Sequence, residues 1–115
     1  MNMPDEFANK RQFSRYVYPV ELEAPALSEV PLVPMDISAG GFRLILMEKP
    51  ELEMEIDCAV RIDSDVFQDC RARVSWVRVS ESDLFSWNVG FHLILAEKRR
   101  EKLEATLQEA QKKPN

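Results

Sequence analysis

Residues 58–79 read "CAVRIDSDVFQDCRARVSWVRV", with apolar side chains on alternate positions through most of the run. A period of two marks a half-buried strand, because successive side chains point to opposite faces. The turn residues "DSD" at 63–65 divide the run into "CAVRI" (58–62) and "VFQDCRARVSWVRV" (66–79). Those two segments predict an antiparallel hairpin around a three-residue turn. Its shared inner face carries Cys58, Val60, Ile62, Val66, Cys70, Ala72, Val74 and Trp76, while Asp69, Arg71 and Arg73 point away. A lone hairpin is marginal in water, so this ribbon needs further strands to cover its apolar face.

The rest of the chain supplies them. "FSWNVGFHLIL" (85–95) places Val89, Phe91, Leu93 and Leu95 inward, and "FRLILM" (42–47) does the same with Phe42, Leu44 and Leu46. "YVYPVELE" (16–23) and "VPLVPMDI" (30–37) read as extended, with Pro19, Pro31 and Pro34 confining them to edge or bent positions. "EKPELEME" (48–55) reads as a loop. From residue 96 onward strong helix formers take over, and Leu103, Leu107 and Ala110 at i, i+4 and i+7 make one narrow apolar stripe. The predicted fold is all-β with a C-terminal α-helix: a small six-stranded antiparallel β-barrel, whose closure removes exposed edges, with the helix over an open end. The expected divisions are a flexible N-terminal arm (1–15), the barrel (16–96), and the helix and tail (97–115).

A chain of 115 residues with 45% apolar and 30% charged side chains suits one folded domain. No apolar run approaches the roughly 18 residues of a membrane span, and the N-terminus lacks the apolar core of a signal peptide. The expected location is therefore the cytoplasm. Cys58, Cys70 and the single His92 do not complete a tetrahedral zinc site, so no metal is expected. The two cysteines face each other across the predicted hairpin at roughly 5 Å, where a disulfide is geometrically possible and two buried thiols are the simpler state. His92, opposite Phe91 and Leu93 and without a nucleophile or metal partner, reads as a surface histidine. No residue set suggests an enzyme. A net charge of −5 argues against binding long nucleic acid, where cations supply most of the affinity.

Against that acidic background, "KRQFSR" (10–15) holds three cations and no anion. Arg11 and Arg15 lie about 13 Å apart on one face if extended, or around 6 Å apart on a helical turn. Arginine suits purines and phosphates: its planar fork donates in pairs and stacks on π faces. Spacing alone also fits a solvated basic arm. "DISAGG" (36–41) carries Asp36, able to accept two hydrogen bonds from a guanine edge, then Ser38 and Gly41. Alone it also fits an ordinary side-chain-capped turn with glycine at the corner.

Taken in order, R-x-x-x-R on an arm and D-x-S-x-x-G at a strand turn resemble the PilZ domain family, whose members commonly bind cyclic di-GMP. "ARVSWVR" and "WNVGFHLI" look like that family's late strands, and the likeness spans about residues 10–100. The resemblance implies a six-stranded barrel with a C-terminal helix. It implies cyclic di-GMP as ligand, with no other cofactor. It places Arg11 and Arg15 on the arginines that grip guanine and phosphate, Asp36 on the position that bonds a guanine edge, and Ser38 and Gly41 on the lining. Gly40 and Trp76 are secondary candidates, Trp76 being open to a core role as well. Lys10 occupies a position where a basic residue accompanies a stacked ligand pair in many relatives. Arg43, just after the glycines, is open to reaching a phosphate, with a solvated strand-face arginine as the simpler reading. The arm is expected to close over bound ligand and so change the surface shown to a protein partner, as monomer or dimer, in motility, biofilm or virulence control. The competing readings are an adaptor of the same fold that works by protein contacts alone, and a barrel that binds single-stranded nucleic acid, which the charge disfavours.

Overall fold

The computed structural model describes residues 13–81 and 85–112. Within them lie β1 (Glu21–Glu23), β2 (Asp36–Ser38), β3 (Gly41–Leu46), β4 (Glu55–Ile62), β5 (Asp65–Val79), β6 (Trp87–Ile94) and the helix α1 (Glu97–Lys112). All six strands join one antiparallel sheet in the order β1-β4-β5-β6-β3-β2. The sheet curls into a half-barrel. Two isolated antiparallel bridges, Tyr16 with Ile37 and Leu22 with Leu32, bring the segments of its two edge strands together.

Proline explains why those edges pair so sparingly. The Val20 N–H donates to the Tyr18 carbonyl at 2.8 Å, a tight three-residue turn about Pro19. The strand expected over 16–23 is therefore regular only at Glu21–Glu23, and the extended run over 30–37 becomes a strand only from Asp36. In the other direction, β4 begins at Glu55 inside the expected loop, because Ile56 is buried and continues the alternation.

Two bulges on β5 correct the hairpin reading. The turn between β4 and β5 has two residues, Asp63 and Ser64, with Ile62 opposite Asp65 and Asp63 at φ 55°. A register shift follows: Val60 faces Phe67, but Cys58 faces Cys70, so β5 carries one extra residue at Gln68–Asp69. Asp69 takes φ 57°, a left-handed conformation that aspartate tolerates better than most residues. Phe67, not Val66, therefore points inward. The facing cysteines arise from a shorter turn plus a bulge, not from a three-residue turn; both thiols are free and buried. The second shift lies between Val74 and Trp76, where Phe91 and Gly90 are consecutive partners. It reverses the in–out parity, so Trp76 leaves the core face expected for it and is half-buried.

The interior is built from the strands' apolar faces. Phe42 stacks on Phe91 with centroids 5.0 Å apart, and Leu22, Ile37, Val60, Ile62, Val74 and Leu93 are fully buried. The helix stripe behaves as its spacing requires: Leu103, Leu107 and Ala110 are buried, each leucine worth about 1.5–3 kcal/mol. Arg100 in the first turns of α1 donates to the carbonyls of Ala39, Leu93 and Leu95, tying the helix to the β2–β3 turn and the end of β6. Among the described residues, no helix is long and apolar enough to cross a membrane.

Candidate functional site

The β2–β3 turn organises the site. Ser38 and Gly41 are register partners, with Ala39 and Gly40 as the loop. The buried Ser38 hydroxyl accepts from the Gly40 N–H at 3.1 Å and donates to the Gly41 carbonyl at 3.4 Å, so it staples the turn. Gly41 does not use a positive φ. It is needed because a Cβ there would collide with the Phe91 carbonyl of β6 directly across. Gly40 has room: a Cβ would sit 3.5 Å from the Phe13 ring.

Asp36 opens β2 opposite Arg43 of β3. Its carboxylate accepts from Arg15 Nη1 at 2.9 Å and pairs with Arg43 Nη2 at 3.2 Å. The Asp36 side chain is 14% exposed, whereas that of Arg15 is 66% exposed. Arg43 Nε is buried with no hydrogen-bond partner among the described residues, leaving an unused donor beside the site. Arg43 is thus an ion-paired member of the site, not the solvated residue its strand position suggested.

Beside this pair lies a cleft of about 830 Å³, lined by Phe13, Arg15, Ser38, Gly40, Gly41, Phe42, Arg43, Arg73, Ser75, Trp76, Gly90, Phe91, His92 and Arg100. That lies in the upper part of the roughly 300–1,000 Å³ typical of small-molecule sites. Among the described residues four arginines line it and no carboxylate does; Asp36 pairs with two of those arginines without itself lining the cleft. The Trp76 indole covers Gly90, where a Cβ would clash with it, and Arg78 sits over the ring at 5.1 Å. Arg100 sits 5.8 Å from the Phe13 ring centroid. Burial, then the Arg100 and Arg73 charges, hold the His92 imidazole below its usual range against an opposing hydrogen bond to the Gly40 backbone. Burial also lowers the Arg100 guanidinium, whose partners are all carbonyls.

Such a surface favours a flat, anionic ligand: guanidinium forks for phosphate and base edges, one indole face, and a hydroxyl-pinned turn. Among the described residues, no group of three or more His, Cys, Asp or Glu side chains could hold a metal ion. The structure brings together Arg15, Asp36, Ser38, Gly40, Gly41 and Trp76; Lys10 and Arg11 lie outside the described residues, as does all but the last part of the predicted arm. The sequence reading missed Arg73 and Arg100; His92 is exposed on the face its alternation implied, and only its position on the cleft was unforeseen. Gly90 was the available signal, since a glycine inside a strand marks a close approach.

Fold and site together define a half-barrel that presents a basic, aromatic cleft. The PilZ domain family model matches residues 9–109, and the chain belongs to that family. Among solved structures it is similar to the inhibitor of motility MotI/DgrA of Bacillus subtilis, with 16% identity, a TM-score of 0.70, and coverage of 88% of this chain and 51% of that one. It is also similar to YcgR of Escherichia coli in complex with c-di-GMP, with 14% identity, a TM-score of 0.66, and coverage of 89% and 46%. The chain spans about half the length of each, and at these identities the likeness is one of fold. Comparison with curated proteins gives no match.

Proposed function

We propose that this protein is a cyclic di-GMP receptor rather than an enzyme, working in the cytoplasm and passing ligand occupancy to a protein partner. The observation that carries this reading is the cleft itself: among the described residues it is lined by four arginines, Arg15 included, and one indole with no carboxylate, in a chain whose sequence keeps both R-x-x-x-R and D-x-S-x-x-G. Membership of the PilZ family and the likeness to YcgR, crystallised with c-di-GMP, support it.

The ion pairs indicate how the ligand enters. Asp36 holds Arg15 and Arg43 until a guanine edge, with its N1–H and N2–H₂ donors, replaces Arg15. An exposed ion pair is worth only about 0–1 kcal/mol, so releasing Arg15 is inexpensive. Arg15 and Arg11 then grip phosphate and guanine, and Trp76 offers its ring. Lys10 tunes whether one ligand or a stacked pair is held. The repositioned segment before Tyr16 alters the surface that a partner meets. Output in motility control is suggested by the likeness to the inhibitor of motility MotI/DgrA.

Calorimetric titration of the full chain with cyclic di-GMP tests this. The expected result is micromolar or tighter binding, weakened by about 10-fold or more in Arg11→Ala and Arg15→Ala, as the loss of a charge-assisted hydrogen bond implies. Absence of binding by the wild type would overturn it and leave the protein-contact adaptor as the better reading.

A further inference from the structure

We propose that Arg73, His92 and Arg100 form a second anion subsite on the β5–β6 wall of the cleft, which takes a phosphate-class anion together with a proton on His92. The inference deepens the cyclic di-GMP reading and rests on it for the identity of the natural anion, though not for the existence of the subsite.

Register places the groups. Arg73 of β5 and His92 of β6 are direct cross-strand partners, and His92 is also the partner of Gly41 on β3. A glycine opposite His92 leaves that side of the imidazole uncovered by any side chain at its partner position. Arg100 arrives from α1, fixed by three carbonyl acceptors that orient its guanidinium without neutralising it. All three side chains line the same cleft.

The surrounding charges are unbalanced. Among the described residues Arg73 has one ion-pair partner, Glu53, at 3.6 Å, whose carboxylate is 72% exposed and does not line the cleft; Glu55 lies opposite Arg73 on β4 but pairs with Arg71. Arg100 has no ion pair among the described residues. Across the cleft stand Arg43 and Arg15, which share Asp36. From β5 His92 meets Arg73, from α1 Arg100 and from the β2–β3 turn the Gly40 backbone; Arg43 and Arg15 line the same cleft. Burial and these like charges disfavour the imidazolium. An anion seated between Arg73 and Arg100 reverses the largest removable cause, so the imidazole gains a proton as the anion binds. By linkage the anion then binds more tightly as pH falls, by no more than about tenfold per pH unit for one proton.

His92 is the chain's single histidine, so its imidazole resonances are unambiguous. The test follows the His92 titration by NMR in three arms: chloride alone, sulfate at matched ionic strength, and saturating cyclic di-GMP. Sulfate is a divalent anion that does not itself titrate near neutral pH. Calorimetry of cyclic di-GMP in buffers of different ionisation enthalpy measures proton uptake, with His92→Gln and Arg73→Gln alongside. The expected result is a His92 titration moved upward by sulfate and by cyclic di-GMP, uptake of up to one proton per ligand, loss of that uptake in His92→Gln, and a smaller upward movement in Arg73→Gln. If cyclic di-GMP binds yet neither anion moves the His92 titration and no proton is taken up, the subsite falls and the receptor reading stands. If cyclic di-GMP fails to bind while sulfate moves His92, the receptor reading falls and the subsite stands. If neither acts, both fall.

Discussion

Strand β5 runs through two surfaces that differ in what its arginines meet. On its first half Arg71 faces β4 and is neutralised by Glu55 at 3.4 Å and Asp57 at 3.2 Å. Two residues on, and on the same outer face, Arg73 pairs among the described residues with the exposed Glu53 alone and lines a cleft to which no described carboxylate contributes. The residue type, the strand and both neighbouring strands are the same; the partners differ. β4 sets Asp57 opposite Arg71 and Glu55 opposite Arg73, but the Glu55 carboxylate pairs with Arg71, while β6 sets Ile94 opposite Arg71 and His92 opposite Arg73. Arginine content alone therefore does not locate an anion site. What locates it is which arginines line a cleft that, among the described residues, no acid lines.

The largest expected effect tests whether the cleft half depends on close strand approach. Gly41→Ala pushes a methyl group into the Phe91 carbonyl and should cost about 3 kcal/mol or more in urea unfolding, or prevent folding. Gly40→Ala, with ordinary contact distances, should change stability by no more than about 1 kcal/mol. Equal losses at the two glycines would break this half of the comparison.

Next comes the arginine contrast itself. Arg73→Gln should weaken cyclic di-GMP by about 10-fold or more, the equivalent of a charge-assisted hydrogen bond, while Arg71→Gln should leave the Kd within about twofold. Calorimetry on both variants decides it; matching losses would mean that general charge, not the cleft, attracts the ligand. A smaller effect is expected at Gly90. Gly90→Ala should lift the Trp76 indole, shift tryptophan emission, and weaken binding by roughly fivefold, about 1 kcal/mol of ring contact.

The smallest effect belongs to the β4 half. Burial, with the nearby Cys70 and Asp57, pushes the Cys58 thiol up to about 12, and burial likewise raises Cys70 against the opposing pull of Arg99. A thiol raised in the fold stabilises the protein below its unfolded value, and that contribution is lost as pH climbs from the unfolded range toward about 12. Urea unfolding should therefore show a loss of stability from about pH 8 to about pH 10 that is smaller in Cys58→Ala. In native wild type, Cys58 should resist thiol reagents near neutral pH.

Much of this was legible before any coordinates. Alternation specified the inner faces of β3, β4 and most of β6, since burying one face of a sheet fixes parity at every second residue. The stripe Leu103, Leu107 and Ala110 specified which side of α1 is buried. The Cys58–Cys70 pairing was also foreseen, though it is reached by a two-residue turn and a bulge. Trp76 and Val66 were misplaced because a bulge adds one residue without changing composition, and a one-residue slip exchanges inside for outside. Arg100 could not be read at all: a helix arginine with strong neighbours looks like any solvated cation until the helix docks.

What the sequence by itself determined is therefore local and periodic. It set the strand faces, the proline-limited edges, the helix stripe, and the two short motifs that hold Arg15 and Asp36 in reach of each other. Only the tertiary structure decided that Arg43 would share Asp36, and that Arg73, His92 and Arg100 would meet across β5, β6 and α1. The physical reason is that charge pairing and clefts depend on which strands are neighbours and in what register. That order, β1-β4-β5-β6-β3-β2, is set by closing the whole half-barrel and not by any one segment.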